Sequence, residues 1–345
     1  MRKFIYLIVI GTSFISCGQN KKYSLEKTSN NSKTMYDINL YLSPEAKEIN
    51  VGNFVSKLNS QIKHYDSEPM YYFRINKQNC LVEVYVNDVI NNYDYELSNV
   101  ITPINIFPLL KSGAQKVTVK MYPVGNLINQ DLGLENQSPA TIMSAKAQVD
   151  IEVVMMDNKS AKGFSDEKRI IKKNSPKEVA GKQSYEFSFN FDAQIPYEFE
   201  GWTMGQDLRK LDQKLVLQKA LEFYKMVGEI YVNKDLESRL KMVYPSTKRI
   251  QQTLYKSSNA ENILQEYKSN VTGYQYKIPK IENYKVEFMG NGKLVALITN
   301  SDKSDYRGGS ALMLKDENGD IYQPGITLYL PEGRDLATQG FMMWK

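Results

Sequence analysis

Several short runs in the first two thirds of the chain place apolar side chains at every second position. Residues 70–75, 81–89, 117–122, 145–156 and 184–195 read as strands with one row on a core and the other facing outward. Val82, Val84 and Val86 alternate with Glu83 and Tyr85, and Tyr185, Phe187, Phe189 and Phe191 share one face. The run 117–122 opens after Ser112-Gly113 and is closed by Pro123. Upstream, 36–42 reads as a short strand, with Asp37, Asn39 and Tyr41 on one side. Residues 51–65 carry Val51, Phe54, Val55, Leu58 and Ile62 at the spacing of one helix face. The polar stretch 158–181 reads as a loop and its basic run, 168–173, as a solvated part of that loop.

Beyond about residue 207 the apolar period becomes helical. Asp207 or Asp212 starts a helix with Leu208, Leu211, Leu215, Leu217, Leu221, Tyr224 and Val227 as its apolar positions, ending near Gly228. A second helix over 235–244 carries Leu236, Leu240 and Val243 and stops at Pro245; 247–255 and 260–267 are shorter helices. Strand patterns return at 284–289, 294–299, 310–314, 321–322, 326–330 and 340–344. Asn291-Gly292 and Asn318-Gly319 read as two-residue hairpin turns.

The expected fold is therefore mainly β with α+β character. An antiparallel β-sandwich over 35–200 is followed, over 201–345, by an α+β domain of helices packed on an antiparallel sheet. A length of 345 residues exceeds one comfortable core and agrees with two domains. The run from Cys80 through Asn87-Asp88, Ile104, Leu109-Leu110 and Gly113 to Pro123 resembles a jelly-roll module of the galactose-binding type. The helices-then-strands order of the second domain resembles the cystatin-like or nuclear-transport-factor-like cone. Both are likenesses of packing and turn pattern, which suggest a fold and no ligand.

The amino terminus has a different texture. Met1-Arg2-Lys3 is basic, residues 4–10 form a short apolar core, and Gly11, Thr12 and Ser13 precede Phe14-Ile15-Ser16-Cys17. This is the order of a secretory signal, and the apolar run falls short of the roughly 20 residues that span a bilayer. With Ser16 as the small residue before Cys17, the segment resembles the lipobox of bacterial lipoproteins. The resemblance implies that residues 1–16 are a signal peptide removed before Cys17. The cysteine would then be diacylated on sulfur and acylated on its new amine. Each buried methylene contributes about 0.8 kcal/mol, so several acyl chains hold a protein firmly where one holds it marginally. Residues 17–34, rich in Asn, Ser, Lys and Thr, read as a flexible tether. No aspartate follows Cys17, which by resemblance to bacterial sorting rules favours the outer membrane, facing the periplasm.

Charge and chemistry narrow the function by exclusion. The net charge is +5, from 44 basic and 39 acidic residues; without Arg2 and Lys3 it is 5 − 2 = +3. That is small for a protein that must neutralise many phosphates, so no nucleic acid is expected. The abundance of tyrosine, 24 against 2 tryptophans, suits strand-rich packing. With Cys17 acylated, Cys80 has no disulfide partner and reads as a buried inert thiol in a strand. His64 is the only histidine and sits at a helix end; zinc ligation and a catalytic triad lack their usual residues, and no cofactor motif is present. The acidic run 316–320 lacks the spacing of a calcium loop and reads as a hairpin turn, and Tyr306-Arg307-Gly308-Gly309 reads as a turn. Trp202, between Gly201 and Gly205, reads as a plug or as a partner-contacting anchor.

These features describe a non-catalytic, lipid-anchored protein of the cell envelope that binds an envelope protein or a glycan, immunity-type proteins being one form. The alternative is a carboxylate-dependent hydrolase such as a glycosidase, whose two carboxyl groups would stand about 5–9 Å apart in a cleft.

Overall fold

In the computed structural model, strands β1 (Pro69–Gln78) and β2 (Leu81–Val86) are joined by two residues yet lie in different sheets. The structure describes residues 37–345 apart from 99–102, 107, 135, 200, 257–258, 279, 302 and 304. Cys17, the leader and the tether lie outside the described residues. The sharp corner between β1 and β2 uses Asn79 at φ +50°, a left-handed conformation that asparagine tolerates better than most residues. Beyond it come β3 (Val89–Asp94), β4 (Ile104–Asn105), β5 (Gly113–Tyr122), β6 (Gln148–Asp157), β7 (Lys168–Asn174) and β8 (Tyr185–Ala193). They form two antiparallel four-stranded sheets, ordered β4-β1-β6-β7 and β3-β2-β5-β8.

The period-two pattern explains the core. Phe73 and Ile75 of β1 stand opposite Val153 and Ile151 of β6, while Val82, Val84 and Val86 of β2 stand opposite Met121, Val119 and Val117 of β5. All ten are buried in one apolar cluster, joined by Phe189, Phe191 and Ala193 of β8. This is the sandwich the alternation implied. The single strand expected over 81–89 is instead the hairpin β2–β3, because Asn87 (φ +52°) and Asp88 (φ +67°) form a tight turn whose handedness suits the strand twist.

The polar stretch 158–181 is not a loop throughout. Its basic run is β7, paired to β6 at the edge of the sheet, with a register shift at Val153/Val154. Exposed lysines and an irregular register are how edge strands avoid pairing with other chains, and they hide the strand from a periodicity reading.

After the sandwich, α4 (Gln213–Val232), α5 (Leu236–Leu254) and α6 (Ala260–Thr272) are long helices; four short α-helical segments occur elsewhere. They are α1 (Pro44–Lys47), α2 (Phe54–Gln61), α3 (Leu127–Leu132) and α7 (Leu336–Gln339). Within the strand expected over 36–42, the described residues 37–42 form none: Asp37 caps a 3₁₀ turn, Ile38–Tyr41, by accepting the Asn39 N–H. The predicted helix over 51–65 is α2 alone.

Asp212 caps α4 by accepting Lys214 N–H and Leu215 N–H, whereas Asp207 caps a separate 3₁₀ turn. The helix runs four residues past Gly228. A Cβ there would stand 2.8 Å from Ile278 Cδ1, so this glycine serves close packing and not termination. Likewise α5 passes through Pro245, uniting the two predicted helices. Proline removes one backbone donor, and burial of Leu240, Val243, Tyr244 and Leu254 on either side outweighs that loss.

Strands β9 (Tyr284–Met289), β10 (Leu294–Thr299), β13 (Leu328–Tyr329) and β14 (Met342–Met343) form the antiparallel sheet β14-β13-β10-β9, with β11 (Leu314–Lys315) and β12 (Ile321–Tyr322) as a separate hairpin. α4 packs its Phe223, Tyr224 and Val227 in the same cluster as Val295, Leu297 and Leu328. Helices on an antiparallel sheet are the α+β arrangement expected. The sandwich core continues across residue 200, since Trp202, Met289, Leu294 and Trp344 share its cluster, and Thr34–Lys345 packs as one unit. Among the described residues no helix is long and apolar enough to cross a membrane.

Candidate functional site

Four features singled out in the sequence are tied into the fold, Cys80 and Trp202 inside it and His64 and the run 316–320 at its surface. His64 Nδ1 lies 2.8 Å from Glu68 Oε1, with the buried Glu68 carboxylate also accepting Asn158 Nδ2–H at 2.7 Å. The neighbouring hydroxyl, on Ser67, donates to Asp157 Oδ2 at 2.6 Å and not to His64. Cys80 is buried, its thiol 3.5 Å from the Gln148 carbonyl, and burial pushes its pKa up to about 11, far from a reactive thiolate. Trp202 is 6% exposed, its ring packed over Gly290, where a Cβ would come within 2.7 Å. The acidic run 316–320 is the β11–β12 turn, with Asp316 Oδ1 accepting Asn318 N–H and Asp320 N–H. Among the described residues no three His, Cys, Asp or Glu side chains gather as a metal site.

One polar cluster was not visible in the sequence. Glu83 faces away from the sandwich core yet is 5% exposed, because the C-terminal sheet lies over it. Its Oε2 accepts the hydroxyls of Tyr85 at 2.8 Å and Tyr122 at 3.1 Å, and its Oε1 accepts that of Tyr95. The Tyr85 hydroxyl also reaches Glu287 Oε1 of β9 at 3.1 Å, and Lys285 pairs with Glu287 at 2.9 Å. Burial, and then the negative charge of the two glutamates, pushes the Tyr85 pKa far above its usual value; burial and Glu83 do the same for Tyr95 and Tyr122. All three therefore remain donors. Next to this cluster, Asp88 accepts Gly290 N–H on its carbonyl and Asn291 N–H on its carboxylate, at 2.9 and 2.7 Å. The β9–β10 loop is accordingly four residues long and not the two-residue turn that Asn291-Gly292 suggested. With both Glu83 oxygens engaged, the arrangement fastens one sheet to another; a glycosidase acid would need a free oxygen over a cleft.

A surface pocket of about 470 Å³ lies at the far end of β6, lined in part by Asp157, Ser160, Asp166 and Glu167. Its carboxylates are likewise committed. Glu167 holds Arg74 through two bonds, Asp166 accepts Lys162 N–H, and Asp157 accepts Lys159 N–H and Ser160 N–H.

The feature that reaches outward is the β5–β6 connection. It pinches closed where Gly125 and Ala140 exchange backbone bonds of 3.1 and 2.9 Å. Inside the closure Asn129 acts as a strut, donating from Nδ2 to the Gln137 carbonyl at 2.8 Å and accepting Gln137 N–H at 3.2 Å. Leu127 is buried beneath it and Met143 pins the departing chain, through Met143 N–H to Lys182 O and Gly181 N–H to Met143 O, both 2.8 Å. From this braced loop Leu132, Leu134 and Ile142 project with exposures of 60%, 46% and 51%. Loops of this length that carry their own internal bonds are the kind that serve recognition. The run Ala140-Thr141-Ile142 held no periodicity to mark it.

Comparison with protein-family profiles, with curated proteins and with solved structures finds no match to this chain.

Proposed function

We propose that this is a cell-envelope lipoprotein, held by acyl chains on Cys17, that acts without catalysis by binding a protein partner through the β5–β6 loop.

 It is a lipid-anchored, non-catalytic binding protein of the outer membrane, facing the periplasm. The observation that carries the binding part is the braced loop with Leu132, Leu134 and Ile142 exposed. Three large aliphatic side chains on one ordered loop leave apolar surface in water, and an apolar partner surface would remove it at about 25 cal/mol per Å². Aliphatic anchors favour a protein partner over a glycan, which is recognised mainly by polar groups and aromatic faces. An immunity-type protein that neutralises a toxic effector is one form of this role.

The signal-like segment ending at Cys17 supports the anchoring part. Three variants test the two parts separately. Cys17→Ser is expected to move the protein from the membrane to the soluble fraction, and retention in the membrane would count against the anchor. A photo-crosslinking residue in place of Leu132 is expected to trap one defined envelope protein. Leu132→Asp with Leu134→Asp, in a chain that melts at the parent temperature, is expected to abolish its binding; unchanged binding would sink the loop as the contact surface.

A further inference from the structure

Arg239, the fourth residue of α5, is 4% exposed, and among the described residues it is in no ion pair with a carboxylate. Its guanidinium carbon lies 5.5 Å from the ring centroid of Tyr231 and 5.9 Å from that of Tyr267, and Nη1 lies 3.9 Å from Met343 Sδ. Arg239 Nε and the Tyr231 hydroxyl are both buried without a hydrogen-bond partner. Tyr322 packs against Tyr231, ring centroids 5.4 Å apart, and the Tyr231 and Tyr322 hydroxyls lie near enough to act electrostatically on the guanidinium.

A buried lysine in such surroundings would shed its proton, but a guanidinium keeps its charge. Ring faces and a thioether offset only part of the loss of water around a full charge. Water alone would satisfy the Nε donor and leave the charge uncompensated. An anion would accept from the donors and neutralise the charge together. The polar groups near the position include one guanidinium edge and the hydroxyls of Tyr231 and Tyr322, which can all donate. An oxyanion with four oxygens would need more donors than these, whereas a halide is satisfied by about this number.

We propose that Arg239, Tyr231 and Tyr322 form a binding site for a small monoatomic anion, chloride under ordinary conditions. The site is structural: it ties α5 to α4 and to the β11–β12 hairpin through an ion that the helix pair shares.

The test uses the full folded chain, melted in sodium chloride and in sodium gluconate at matched ionic strength. Chloride is expected to raise the melting temperature saturably, by about 3 °C at high occupancy. Tyr231→Phe, which keeps the ring and removes one donor, is expected to weaken that response about tenfold in chloride concentration; Arg239→Met is expected to abolish it. Crystals grown in bromide are expected to show an anomalous peak within hydrogen-bonding reach of Arg239 Nε. Should Arg239→Met fail to fold, the Tyr231→Phe response and the bromide peak decide the matter. Equal melting in the two salts, a chloride response untouched by Tyr231→Phe, or only water beside Nε would each overturn the proposal.

Discussion

Tyr224 of α4 accepts the Leu297 N–H at 2.8 Å from inside the C-terminal sheet. The same hydroxyl donates to the Ile326 carbonyl at 2.9 Å. The β10–β13 ladder pairs Leu294 with Tyr329 and Val295 with Leu328, so continuing that register would bring Leu297 opposite Ile326. The hydroxyl is wedged into the ladder where the strands part, replacing a direct backbone bond and fastening helix to sheet in the same stroke.

Tyr224→Phe therefore leaves a buried N–H and a buried carbonyl without partners, at a cost of about 1–3 kcal/mol for the unsatisfied groups. Urea unfolding is expected to show a lower midpoint with an unchanged slope, and the Leu297 amide is expected to exchange faster with solvent. A variant as stable as the parent would mean that the sheet closes around the gap.

Glu68 gives the chain an acid-sensitive joint. Burial alone would raise its pKa, but hydrogen bonds from Asn158, His64 and Tyr65 N–H outweigh burial and hold it below the ordinary glutamate value. A pKa lowered on folding contributes stability that is fully present above the unfolded value, about 4.3, and is lost as pH falls through the lower folded value. The stability difference between the parent and Glu68→Gln should be constant near neutrality and shrink below about pH 4. A difference that grows on acidification would reverse the assignment.

The strand pattern of the sandwich was legible because its inward rows are almost purely apolar: Val82, Val84 and Val86 of β2 face Val117, Val119 and Met121 of β5, whose row has the buried Gln115 as its polar exception. Hidden from the same reading was β7, whose side chains are chosen to defend an edge and not to fill a core. Gly228 and Pro245 misled for a related reason: local propensity marks both as helix ends, and tertiary burial of the flanking residues overrides it. The Glu83 cluster could not be read in advance, since Glu83, Tyr95, Tyr122 and Glu287 meet only through the topology. In the sequence Glu83 looked like the solvent-facing member of an alternating strand. What exposes that error is the burial of β2 on both faces.

Trp202 had two readings, and its burial over Gly290 bears on both. Trp202→Ala would empty a large core position, with an expected loss of about 3–5 kcal/mol. Gly290→Ala should also destabilise, since Gly290 sits at φ +60° and its new Cβ would press on the indole. Partner affinity per folded molecule is expected to stay unchanged in a Trp202→Phe variant that retains its fold. A clear drop there would restore the indole as a contact.

Glu83 offers the most discriminating series. Glu83→Ala removes the acceptor of three hydroxyls and leaves a hole, so an unfolding cost of about 3–5 kcal/mol is expected, the range for breaking a buried charged arrangement. Glu83→Gln keeps the shape and one carbonyl oxygen, and a tyrosine hydroxyl can turn to accept from the new amide. Its cost should be the smaller, about 1–2 kcal/mol, with Tyr85 still able to donate to Glu287. Thermal melts of both variants, beside assays on glycan substrates, separate fastening from catalysis. If Glu83 only fastens the sheets, the two variants lose stability in that order and no hydrolysis is seen in the parent. A parent that cleaves a glycan, and a stable Glu83→Gln that does not, would instead make this carboxylate part of an active site.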